Sequence, residues 1–112
     1  MHASSLASEA MRVRSFEIID ADLRQLHDYL LEVGGFTFRA GGSGFFVLVG
    51  EKFYSHSNTQ AQMILAQTEA DTVSIDVVAA AGGRTAEHAF MQRATGILVG
   101  FAERHELEIS DL

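Results

Sequence analysis

Between Gln60 and Gly83 two runs of alternating apolar and polar residues meet at a turn. In the second run Val73, Ile75, Val77 and Ala79 share one parity while Thr72, Ser74 and Asp76 take the other, the period of a half-buried antiparallel strand. In the first run Ala61, Met63 and Leu65 stand on one side, with Gln60, Gln62, Ala66 and Thr68 largely on the other. Glu69-Ala70-Asp71 is the polar break, so the two runs read as a hairpin.

Upstream, residues 11–18 alternate as well, and Phe16 and Ile18 take over the apolar parity from Met11 and Val13. A first strand is expected there, with its facing open. Leu23, Leu26, Leu30 and Val33 then recur at spacings of three and four, which predicts an amphipathic helix. Asp20 is the expected N-cap, Asp22 favours the positive end of the helix, and Gly34-Gly35 closes it.

A short strand is expected over 36–39, followed by a turn at Gly41-Gly42-Ser43-Gly44. Phe45-Phe46-Val47-Leu48-Val49 is apolar on both parities, so this strand is either central or covered on its second face by another subunit. Extended chain continues through Ser57, with Gly50 as an expected bulge or bend.

After the hairpin, Gly82-Gly83 leads into a second helix near Thr85, with Glu87 in its first turn. Ala86, Phe90, Ala94, Ile97 and Phe101 form its stripe, which Met91 and Leu98 broaden, and Val99 adds apolar surface outside it. Val73, Ile75, Val77 and Ala79 are expected to meet Phe90, Ile97 and Phe101. Gly96 and Gly100 each cost about 1 kcal/mol in a helix relative to alanine, which suggests a close approach by the sheet or by a second subunit's helix. Residues 103–106 read as a fraying end.

The order β-α-β-β-β-β-α predicts an α+β two-layer sandwich, a mainly antiparallel sheet with two helices on one face. Residues 1–10 are expected as a flexible arm, 11–107 as a single domain and 108–112 as an acidic tail.

Composition narrows the function. A chain of 112 residues, 47% hydrophobic and 21% charged, is an ordered single domain. The net charge of −7 and the scatter of eight cations, seven of them arginine, argue against nucleic acid as a partner. The arginine and alanine usage fits a GC-rich bacterial genome. Absence of cysteine removes disulfides, thiolate zinc sites and cysteine nucleophiles. No apolar run approaches the roughly 18 residues that span a bilayer, and residues 1–9 lack the core of a signal peptide. A cytoplasmic protein without membrane contact is the expectation.

Three groups of residues carry chemistry. Five histidines show no metal-ligand spacing, so no metal and no cofactor is expected. Gly82-Gly83-Arg84-Thr85 stands where a strand enters a helix and can receive an anion, as can Arg39 with Gly41 to Gly44, although neither matches the P-loop or dinucleotide fingerprint. Turn chemistry accounts for the same glycines. In Glu51-Lys52-Phe53-Tyr54-Ser55-His56-Ser57-Asn58, one parity aligns Lys52, Tyr54, His56 and Asn58, a donor, an acceptor and an orienting amide, although alternating polar faces are ordinary and a solvated strand face accounts for the same row. Tyr54, His56 and, on the second helix, His88 are the acid–base candidates.

The Glu51-Lys52-Phe53-Tyr54 stretch, the hairpin and the Gly82-Gly83 turn before the last helix together resemble a small bacterial family of uncharacterised proteins with the same β-α-β-β-β-β-α order. The resemblance covers residues 13–101 and implies a fold but no activity. The reading that follows is a non-enzymatic homodimeric module that binds a small molecule or a partner. Its alternative is a small cofactor-free dimeric enzyme with Tyr54 and His56 acting in an apolar pocket.

Overall fold

Strand β1 (Met11–Ile19) ends in a turn at Asp20, whose positive φ of 62° lets its N–H donate to the Asp71 carbonyl at 2.7 Å. These coordinates come from a computed structural model that describes residues 11–33, 35–54, 58–81 and 84–112. Helix α1 (Leu23–Val33) follows, and its N-cap is Asp22 rather than Asp20. Oδ1 of Asp22 accepts the N–H groups of Arg24 at 2.9 Å and Gln25 at 3.1 Å, the second and third helical positions that an N-cap serves. Asp20, held in a left-handed turn, is committed to the neighbouring loop.

Strands β2 (Phe38–Gly42) and β3 (Phe45–Tyr54) form a hairpin across Ser43 and Gly44, and β4 (Asn58–Glu69) and β5 (Thr72–Ala81) form the expected second hairpin around Ala70 and Asp71. Helix α2 (Arg84–Arg104) and a short strand β6 (Ile109–Asp111) complete the chain. One sheet results, in the order β2-β3-β4-β5-β1-β6 and antiparallel at every pairing. Both helices pack on one face, which makes the α+β sandwich that the element order predicts.

The expected tail is therefore part of the sheet. Glu106, at φ 56°, turns the chain so that the Leu107 N–H reaches the Ala102 carbonyl at 2.8 Å, a Schellman-type closure of α2 rather than a frayed end. Ile109 then pairs with Ile18 and Asp111 with Phe16.

The core lies between sheet and helices. Phe16, Ile18, Phe46, Leu48, Ile64, Val73, Ile75 and Val77 supply the sheet side, and Leu26, Leu30, Phe90, Met91, Ala94, Leu98 and Phe101 the helices. Leu98 and Ala102 are buried in α2 where Ile97 is only partly so, which turns the helix slightly from the expected stripe.

Strand β4 inverts the expected facing. Ile64 and Ala66 enter the core, whereas Met63 and Leu65 point to the other side of the sheet. Antiparallel pairing dictates this, because Ile64 stands opposite Val77 and Met63 opposite Val78.

No bulge occurs at Gly50, which keeps register with Gln62 in an unbroken ladder. Gly100 accommodates Tyr29 of α1, since an added Cβ would lie 3.3 Å from the tyrosine hydroxyl, while Gly96 faces open space. The close approach is thus between the two helices of one chain.

Candidate functional site

The helix-free face of the sheet carries a row of apolar residues across five strands. Phe38 pairs with Val49, Val49 with Met63, Met63 with Val78, and Val78 with Val13. Ala40, Val47 and Leu65 make a second row beside it. Val13 is 60% exposed and Phe38 58%, and the residues between them are half-buried. On one side the apolar rows give way to polar pairs. The Ser15 hydroxyl donates to Asp76 Oδ1 at 2.6 Å, and Glu17 faces Ser74. Alternation explains the face, because every second residue of a strand inevitably points this way. It does not explain why those residues are apolar.

A groove of about 820 Å³ opens on the opposite side, between the start of α1 and the β2–β3 hairpin. Leu23, Arg24 and His27 come from the helix, Arg39 and Gly41 from the edge strand, and Phe46 from β3. Phe46 is buried and makes a T-shaped contact with the His27 ring, with centroids 5.2 Å apart. His27 Nδ1 also lies 3.1 Å from Asp28 Oδ1. Arg24 and Arg39 are exposed, and among the described residues neither guanidinium has a hydrogen-bond or ion-pair partner. Asp22 lines the groove as well, but one of its oxygens is occupied by the helix N–H groups.

Arg39 and the Gly41–Gly44 turn are thus brought beside two residues that sequence reading did not connect with them, Arg24 and His27. Their alternation with Leu23 and Leu26 on α1 was the available signal, yet it specifies only a solvated flank of a helix. His88 is exposed on α2 and is not part of the groove. Tyr54 ends β3, paired with Asn58, and Arg84 and Thr85 begin α2. His56, Gly82 and Gly83 lie outside the described residues, as do residues 1–10.

Among the described residues no cluster of three His, Asp or Glu could hold a metal ion, and no helix is long and apolar enough to cross a membrane. Comparison of the chain with protein-family models, with curated proteins and with solved structures finds no match in any of the three.

Proposed function

We propose that the protein is a non-enzymatic homodimeric α+β module, built by packing the helix-free sheet faces of two copies against each other, and that it serves to bind a small molecule or a partner. The observation that carries this reading is the unbroken row Phe38, Val49, Met63, Val78 and Val13. Isolated exposed apolar residues are ordinary on a protein surface, whereas a contiguous patch of this extent marks an interface.

The dimensions fit a second copy. Six strands spaced about 4.8 Å apart and averaging about eight residues, at roughly 3.3 Å per residue, give the face a footprint of about 760 Å². Standard interfaces bury about 800 Å² per partner. A two-fold axis near Met63, at the middle of the row, would set the same surface against itself, as a closed dimer requires. Apolar side chains of two twisted sheets interdigitate well in this geometry. Ser15, Glu17, Ser74 and Asp76 then form a polar rim, the usual surround of an apolar interface centre.

Light scattering at micromolar concentration tests the reading. Twice the chain mass is expected for the wild type, and the mass of one chain for Met63→Lys, with the circular dichroism spectrum unchanged. A wild type that is strictly monomeric, or a Met63→Lys variant that remains dimeric, overturns the proposal.

A further inference from the structure

We infer that the groove between α1 and the β2–β3 hairpin is a binding site for a small monocarboxylate with an aromatic or aliphatic body, held by Arg24 and Arg39. The inference deepens the ligand-binding reading above by naming the class of ligand. Its site lies on the helix side of the sheet, so it does not depend on dimerisation.

Acidic residues outnumber lysine and arginine by 15 to 8, so a surface arginine in this chain has carboxylates in excess to pair with. Arg14 finds Asp111. Arg24 and Arg39, like Arg93 and Arg104, have no such partner among the described residues, but these two come from different elements and converge on one concavity. The single carboxylate lining the groove is Asp22, already engaged in capping α1 through Oδ1. That capping also closes the helix N-terminus to an outside anion, which leaves the guanidinium groups as the donors.

Two arginines against one aspartate leave one net positive charge, the complement of a monoanion. A polyphosphate would require more cations or a bound metal, and no metal-binding cluster exists among the described residues. The planar fork of arginine matches a carboxylate in two parallel hydrogen bonds.

The remaining surface suits an apolar body. Leu23 and Ala21 line one wall and Phe46 the floor. Gly41, opposite Phe46 on the edge strand, adds no side chain over that floor. The volume of about 820 Å³ falls in the usual range of small-molecule sites, which are mostly apolar with a few convergent polar groups.

Isothermal titration with 3-phenylpropionate and decanoate tests the inference, with 3-phenylpropanol and inorganic phosphate as controls. Saturable binding of at least one carboxylate is expected, about tenfold or more tighter than the alcohol, which lacks the charge-assisted pair, and than phosphate, which lacks the apolar body. Arg24→Gln and Arg39→Gln should each weaken it about tenfold, whereas Arg93→Gln, at an exposed position of α2 outside the groove, should leave it unchanged. In ¹⁵N spectra the shifts should centre on Leu23 to His27 and Arg39 to Gly42. The same titration on Met63→Lys separates binding from dimerisation: a monomer that binds sustains the site while the dimer reading is judged by mass alone. Failure of both carboxylates to bind, equal affinity for the alcohol or phosphate, or indifference to both arginine substitutions overturns it.

Discussion

Gly50 and Gln62 stand opposite each other across β3 and β4, and together they hold the end of α1 against the sheet. The Gln62 amide Nε2 donates to the Gly35 carbonyl at 3.2 Å, and at 6% exposure Gln62 is the one buried polar residue among the described core. Gly50 leaves the space in which this happens. A Cβ there would overlap the Gly35 carbonyl oxygen and lie 2.7 Å from the Gln62 amide nitrogen.

Gly50→Ala should therefore destabilise the fold by about 1–3 kcal/mol, because backbone rather than a flexible side-chain end must yield. Gln62→Leu should cost a similar amount, about 1–3 kcal/mol, by leaving the Gly35 carbonyl unpaired. Urea denaturation measures both. Stability unchanged in Gly50→Ala would mean that the α1 terminus does not sit against β3.

The facing of β4 makes its own prediction. Ile64→Ala should cost about 2–5 kcal/mol as a cavity in the core. Met63→Ala, measured at concentrations too low for association, should cost under about 1 kcal/mol, in keeping with a residue outside the core. Equal losses, or a reversed order, would contradict the pairing register.

At the C-terminal end of α2, Glu106 occupies left-handed space that costs a non-glycine residue about 1–2 kcal/mol. Glu106→Gly should raise the unfolding free energy by up to about 1 kcal/mol, the gain offset in part by the greater freedom of an unfolded glycine. A thermal melt with no increase in midpoint would show that the turn is unstrained.

Arg14 joins three elements. Its guanidinium donates to Thr95 of α2 at 3.2 Å, pairs with Asp111 of β6 and lies 5.3 Å from the Phe16 ring centroid. Both charged side chains are more than a third exposed, so the ion pair contributes less than about 1 kcal/mol to global stability. Its effect should appear locally. Asp111→Asn should accelerate amide exchange at Leu112, whose N–H donates to the Ser15 carbonyl, while exchange at Ile75 in the core stays the same. Unaltered exchange at Leu112 would leave the ion pair without a role in docking β6.

Much of the fold was legible because local pattern and local physics agree. Phe16 and Ile18, Val73 to Ala79, and Leu26 with Leu30 each present one apolar side at the period of their element, and each is buried as that period requires. In β4 both parities carry large apolar residues, so alternation alone could not choose between Met63 and Ile64. The cap of α1 was displaced by two residues because Asp20 and Asp22 have the same chemistry, and only the turn to Asp71 distinguishes them. Likewise Ile109 to Asp111 is short and acidic, and its strand exists through pairing with a residue some ninety positions earlier.

The candidate site follows the same division. Arg39 beside Gly41 to Gly44 could be singled out from adjacency, whereas Arg24 and His27 join it only because α1 crosses the sheet above the β2–β3 hairpin. Local pattern along the chain was enough for the types and order of the elements as far as α2, and for an apolar content too large for one face of one sheet. Tertiary structure decided which apolar residues are inside, which stand on the open face, and which arginines share a groove. The reason is physical. Periodicity is a property of neighbours along the chain, while facing and convergence depend on register between strands and on helix placement, which distant residues settle together.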